Sequence, residues 1–157
     1  MRKFFTFIFA VIVSFVPGII GVMFTPHGAS NIWYNELSKS ILTPAGWVFS
    51  VAWTILYLLL GVALFLIINE KKSRVSKSSA YWLFIAQMAL NLAWSYVFFG
   101  LHMVALALLV LIFLIVISLY MMRAFRLINK TAAYLVWPYI LWMCFAAYLN
   151  ATIMFLN

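Results

Sequence analysis

Residues Pro44 to Ile68 read PAGWVFSVAWTILYLLLGVALFLII, 25 positions without one Asp, Glu, Lys or Arg. A helix rises about 1.5 Å per residue, so this stretch reaches about 37 Å and exceeds the ~30 Å hydrocarbon core of a bilayer. Four more runs of the same kind flank it: Phe4 to Phe24, Ser79 to Phe99, Val104 to Met122 and Ala132 to Phe155. Backbone amides surrounded by lipid must pair within their own segment, and barrel strands would be shorter and would alternate polar with apolar. The pattern predicts an all-α polytopic membrane protein, a single domain over residues 1–157 built as a five-transmembrane-helix bundle.

The whole composition agrees. Of 157 residues, 69% are hydrophobic and 8% are charged. A soluble fold of this size buries only about 70% of its surface and could not hide so much apolar side chain. An ordinary soluble enzyme and a disordered chain are both excluded. Arg2-Lys3 ahead of a phenylalanine-rich run also suits a cleaved leader, but the run is long enough to span and lacks a small-x-small cleavage site. It is read as a retained helix.

The net charge of +8 would suggest nucleic acid in a soluble chain. Here the basic residues sit between the spans, where they act as topology signals and lipid contacts, with no nucleic-acid partner implied. Arg2 and Lys3, then Lys71, Lys72, Arg74 and Lys77, then Arg123, Arg126 and Lys130 fall on one side of the membrane. Lys39 alone falls on the other. Positive loops stay cytoplasmic, so the N-terminus is expected inside and the C-terminus outside.

The only long connection, residues 25–43, holds Asn31, a candidate cap for a short helix starting at Ile32. Trp33 and Leu37, four apart, would share one face of it. The segment suits a lid over the outer end of the bundle, and it equally suits an interfacial segment with aromatics at headgroup level.

Polar residues inside spans are costly, so their spacing is informative. Gln87, Asn91 and Ser95 recur every four residues in the third span, flanked by Trp94 and Phe98. Trp142, Ala146 and Asn150 repeat that rhythm in the fifth. Trp47, Ser50, Thr54, Tyr57 and Gly61 do so in the second, with Trp53 four before Tyr57. Ser14, Gly18, Gly21 and Thr25 make a small and polar stripe in the first. The fourth span has Ser118 alone. Each stripe by itself reads as helix–helix packing, as do the small pairs Ala89/Ala93 and Ala147/Ala151. Together they describe an interior that stacks a flat apolar molecule on indole and phenol faces and fixes it with a few amides.

The absences narrow the chemistry. No span holds an acid or base of the kind that ion-coupled carriers and voltage sensors use. Glu36 and Glu70 lie in loops on opposite sides, and Cys144 is the single cysteine. No phosphate loop, catalytic triad or metal spacing occurs. His27 and His102, at span ends, read as interfacial side chains rather than metal ligands.

Three segments taken together resemble the translocator protein family, the tryptophan-rich sensory proteins or TspO/MBR family. The first runs Trp33-Tyr34, Lys39, then Thr43-Pro44-x2-Trp47-Val48-Phe49-x3-Trp53-x3-Tyr57-x3-Gly61. The second is Ala89-Leu90-Asn91-x-Ala93-Trp94-Ser95-x2-Phe98-Phe99-Gly100. The third is Pro138-Tyr139-x2-Trp142-x2-Phe145-Ala146-x2-Leu149-Asn150. The resemblance implies a five-helix bundle, a homodimer, and a pocket for porphyrins and similar flat hydrophobic ligands covered by the first loop. It implies a bacterial plasma-membrane location. It assigns Trp33 and Tyr34 to the lid, and Pro44, Trp53, Tyr57, Asn91, Trp94, Ser95, Phe98, Trp142, Ala146 and Asn150 to the pocket.

The implied function is a membrane receptor or sensor for porphyrin. The alternatives are a light-dependent porphyrin-degrading enzyme, in which Trp53 and Trp142 would carry the photochemistry, and a facilitator of porphyrin or sterol transport. No resident cofactor is required, because the porphyrin is itself ligand or substrate. Three departures stand out. The family's Lys-Pro-x-Trp-x-Pro-Pro stretch is Lys39-Ser40-Ile41-Leu42-Thr43-Pro44-Ala45 here. Leu108 occupies the place of an acid common in the fourth span. Ala151-Thr152 follows Asn150 where the animal members' sterol pattern has Tyr and Arg.

Overall fold

The computed structural model describes residues 1–25, 31–71, 73 and 75–157. Among these every regular element is a helix. The elements are α1 (Arg2–Gly21), the short α2 (Ile32–Glu36), α3 (Gly46–Asn69), α4 (Ser78–Ser95) running into a π-turn (Tyr96–Gly100), α5 (Val104–Ile128) and α6 (Lys130–Leu156). The five long helices are all apolar enough to cross a bilayer. The chain is an integral, multi-pass membrane protein.

The spans match the sequence expectation with shifts at their ends. α5 continues six residues beyond Met122, to Ile128. Arg123 and Arg126 ride on this extra turn and a half, since long basic side chains keep their stems on the helix while the charge reaches headgroups. α1 stops at Gly21 instead of Phe24. α3 starts at Gly46, two residues after Pro44, with Ala45 extended as its cap. Asn129 accepts from the Ala132 amide at 3.0 Å and so caps α6, while its own amide donates to Glu70 at 3.1 Å.

The five long helices close into a ring: α1 packs on α3, α3 on α6, α6 on α5, α5 on α4, and α4 back on α1. Lipid tails are as apolar as leucine, so close packing and interhelical hydrogen bonds, not hydrophobic burial, hold such a ring together. The α1–α3 seam shows how. A Cβ on Gly61 would lie 2.9 Å from the Val11 Cα and from the Ser14 hydroxyl. The Ser14 hydroxyl in turn donates to the Tyr57 carbonyl across the seam at 2.7 Å.

Large apolar side chains point outward on every long helix, among them Phe5, Ile55, Trp82, Phe113 and Leu141. Inside, one core runs through the half of the bundle that carries the N-terminus, with Leu60, Ile67, Phe84, Met121, Phe125 and Val136 all buried. The opposite half holds a smaller cluster, Val97, Phe98, Ala107 and Ile153, beside an opening.

Candidate functional site

The opening is a cavity of about 880 Å³ in the half of the bundle under the first loop. That is within the ~300–1,000 Å³ range of small-molecule sites. Its floor is a hydrogen-bonded layer across three helices. The Tyr57 hydroxyl donates to Asn91 Oδ1 at 2.8 Å, and Asn91 Nδ2 donates to the Tyr139 hydroxyl at 3.0 Å. All three side chains are buried. Tyr57 is the member that faces the cavity, and Trp53 stacks on it at 5.2 Å between ring centroids. Gly18 makes room for this pair, because a Cβ there would come within 2.6 Å of the Tyr57 ring.

One wall comes from α4. Trp94 and Phe98 stack at 5.3 Å with their planes 21° apart. The Trp94 indole donates to Asn150 Oδ1 at 3.2 Å, and Asn150 Nδ2 donates to the Val104 carbonyl at 2.9 Å. Asn150 thus fastens α6 to α4 and to the first turn of α5. The π-turn, marked by the Leu101 amide on the Tyr96 carbonyl at 3.0 Å, widens the end of α4. Both Phe98 and Phe99 line the cavity there. π-turns recur at functional sites for this reason: one extra residue re-aims the side chains that follow.

The roof is the first loop. The Asn31 side chain accepts from the Tyr34 amide at 2.9 Å, the cap expected from sequence. Trp33 lies flat against His102, with 4.0 Å between centroids and a 12° tilt, and meets Phe98 edge-on at 5.6 Å. His102 holds a left-handed backbone, φ 56°, which turns the α4–α5 link and presents its ring to the roof. Such a conformation is uncommon for a residue with a side chain, though His adopts it more readily than most. The other end of the roof is tied to α6. The Ser38 amide donates to Asn157 Oδ1 at 2.9 Å, and Asn157 Nδ2 returns a bond to the Ser38 carbonyl at 3.0 Å. Ser40 and Tyr148 share a hydroxyl–hydroxyl bond of 3.0 Å. Burial pushes the Tyr34 phenol above its ordinary value, so it stays protonated.

Of the twelve residues that the resemblance assigns to lid and pocket, Tyr34, Pro44, Trp53, Tyr57, Trp94, Ser95, Phe98, Ala146 and Asn150 line this cavity. Trp47, from the α3 stripe, is exposed on the outside of the bundle instead. Three of the twelve do not line the cavity. Asn91 lies behind Tyr57 as the middle of the floor layer. Trp33 works from the roof's far side, through Phe98 and His102. Trp142 faces a separate shallow apolar groove between α3 and α6, and touches the cavity lining through Phe49 at 5.9 Å. Its indole N–H is buried without an acceptor. His27 lies outside the described residues. Gln87, the inner end of the α4 stripe, is buried below the floor with neither end of its amide partnered.

Lys39, Phe15 and Phe49 also line the cavity, without a ligand role assigned from sequence. The two phenylalanines carry no periodic polar signal. Lys39 stands in the sequence as the charge on the sparse side of the membrane and as part of the family motif. α5 contributes nothing to the lining, in keeping with its lack of a polar stripe. Among the described residues no three His, Cys, Asp or Glu side chains come together to hold a metal.

A sequence profile of the TspO/MBR family matches residues 9–156. The chain belongs to the TspO/MBR family. It is 36% identical over 140 residues to the tryptophan-rich protein TspO of Chlorobaculum tepidum, covering 89% of this chain and 88% of that one. It is 35% identical over 140 residues to the protein of the same name from Archaeoglobus fulgidus, with 89% of each chain covered. Human translocator protein is 31% identical over 125 residues, or 79% of this chain and 74% of the human one. The tryptophan-rich sensory protein of Cereibacter sphaeroides is 33% identical over 141 residues, or 90% of this chain and 84% of that one.

Proposed function

We propose that this chain is a membrane receptor that holds a porphyrin or a similar flat hydrophobic molecule in the cavity between the roof and the Tyr57–Asn91–Tyr139 floor. The carrying observation is the cavity itself, about 880 Å³, with the Trp53/Tyr57 stack on one side and the Trp94/Phe98 stack on another. Planar rings bury large area against such faces at little entropic cost, since each aromatic side chain has only two torsions to fix. The Asn91 and Asn150 amides are already paired, with Tyr57 and Tyr139 and with Trp94 and Val104, which keeps that part of the site apolar toward its occupant.

Addition of protoporphyrin to the detergent-solubilised protein quenches tryptophan emission saturably. Trp53→Phe and Trp94→Phe each weaken binding about tenfold, whereas Trp142→Phe leaves it within twofold. A Trp142→Phe loss as large as that of Trp53→Phe would place the ligand in the α3–α6 groove and refute the assignment.

The photochemical alternative retains Trp53 as the indole in contact with a bound porphyrin and moves Trp142 one ring away, behind Phe49. The homodimer belongs to the same reading; Ala89 is exposed on α4, whereas Ala147 and Ala151 are half-buried in the bundle. So does the orientation with the roof outside, which a C-terminal reporter found in the cytosol would reverse.

A further inference from the structure

We infer that Lys39 is the anion-recognising residue of this cavity, so that the site prefers flat apolar molecules bearing a carboxylate over neutral molecules of the same shape. The inference deepens the receptor reading and takes from it the size and flatness of the ligand.

Among the described lining residues, Lys39 is the one with a formal charge. The sequence has two acids to set against it. Glu70 is at the opposite end of the bundle, bonded by Asn129, and Glu36 is exposed on α2 and does not line the cavity. The Lys39 ammonium is held by backbone alone. It donates to the carbonyls of Tyr34 at 2.7 Å, Leu37 at 2.8 Å and Asn35 at 3.2 Å, and it sits 4.9 Å from the centre of the Tyr34 ring. Three carbonyls use its three N–H groups but leave its positive charge uncompensated. The phenol of Tyr34 is neutral and contributes none either.

Position decides the rest. The deep amides and phenols are spoken for: Tyr57 and Asn91 bond each other, and Asn150 bonds Trp94 and Val104. The other polar groups lining that end, among them Ser50, Ser95 and the Trp53 indole, are neutral, so an acid pushed toward the floor would be desolvated with no cation to offset the cost. At the roof it meets a half-buried cation whose place is already fixed, beside polar lining from Asn31, Asn35, Ser40 and Thr43. The longest ammonium bond, to Asn35, is the one a carboxylate oxygen replaces with least loss. A ligand with an apolar plane and an acid edge therefore fits one way round, plane on the indoles and acid under Lys39.

The test compares acids with their esters in the full chain. Dissociation constants are measured for protoporphyrin IX and its dimethyl ester, and for 1-pyrenebutyrate and its methyl ester, in wild type, Lys39→Met, Lys39→Gln and Lys39→Arg. Comparing the acid-to-ester ratio between wild type and each variant cancels partitioning into detergent. Wild type is expected to favour each acid about tenfold more than Lys39→Met or Lys39→Gln does, with Lys39→Arg restoring the preference. Raising KCl from 50 mM to 500 mM should weaken the acids severalfold in wild type and leave the esters unchanged, a readout that needs no variant. Equal ratios in wild type and both neutral variants, with acid affinity insensitive to salt, would overturn the inference. The two readings fail separately. Porphyrin acid and ester binding alike, with or without Lys39, removes the anion site and keeps the receptor. A Lys39-dependent preference for pyrenebutyrate with no porphyrin binding keeps the anion site and removes the porphyrin. Binding of neither pair removes both.

Discussion

The two halves of α3 are built from different side chains and do different work. From Gly46 to Tyr57 it carries Phe49, Ser50, Trp53, Thr54 and Tyr57, and all five line the cavity. From Leu60 to Ile67 it carries Leu60, Gly61, Ala63, Leu64 and Ile67, and all five are buried against neighbouring helices. The division is repeated across the bundle. On α4 the cavity takes Trp94 to Phe99 and the core takes Ala80 to Asn91; on α6 the cavity takes Ala146 to Ile153 and the core takes Ala132 to Met143. The boundary is the layer formed by Tyr57, Asn91 and Tyr139. Below it, mostly small and aliphatic side chains interdigitate, with Phe84 and Phe125 packed among them. Above it, rings too large and too rigid to interdigitate hold the helices apart. A bundle keeps a pocket by making one end out of pieces that cannot collapse and the other out of pieces that can.

The halves respond differently to substitution. The largest effect is expected in the closed half. Leu60→Ala should lower stability by about 2–4 kcal/mol, because the vacated volume is lost packing that lipid does not refill. Thermal unfolding in detergent reads this, and ligand affinity of the folded fraction should stay within twofold. Next comes the boundary. Asn91→Leu leaves two buried tyrosine hydroxyls without their partner and should cost about 2–3 kcal/mol. Unlike Leu60→Ala it should also weaken the ligand severalfold, since Tyr57 is no longer held in place under Trp53.

The α1–α3 seam gives a smaller and sharper contrast. Gly61→Ala brings a methyl to 2.9 Å from the backbone of Val11 and should cost about 1–3 kcal/mol. Gly46→Ala meets nothing within 4 Å and should be neutral or slightly stabilising. Equal melting temperatures for the two variants would show that the seam is looser than the contacts imply. The smallest effect belongs to the roof. A double-mutant cycle on Trp33→Ala and His102→Ala should give a coupling of about 0.5–1.5 kcal/mol from the stacked rings. It should appear in the ligand's dissociation rate more than in global stability, because the contact closes the roof without joining two spans.

Most of this division was legible in the sequence, for physical reasons. Span number follows from bilayer thickness and the absence of charge. Most of the polar and aromatic stripe residues point into the bundle because lipid tolerates amides poorly, and Trp53, Trp94, Ser95, Ala146 and Asn150 all reach the cavity; Trp47, at the end of its span, faces outward instead. Periodicity gives a helix face but not a depth or a tilt. Trp142 shares a face with Ala146 and Asn150 at one turn's spacing, yet lies a turn nearer the closed half and opens onto the α3–α6 groove. Asn91 shares a face with Ser95 and is taken up by two tyrosines instead of the cavity. Lys39 stood in the sequence as a charge and a motif residue, but not as a cavity residue, because three backbone carbonyls hold its ammonium there and side-chain patterns carry no record of those.

The central claim is that ligand binds only above the Tyr57–Asn91–Tyr139 layer. A porphyrin bearing a photoreactive diazirine, activated on the folded protein and mapped by peptide mass spectrometry with and without excess protoporphyrin, tests it directly. The account predicts competed adducts within residues 15–25, 31–57, 94–99 and 146–153, and none within 60–67, 80–91 or 105–128. Competed adducts on α5, or on α3 and α4 below the layer, would contradict it.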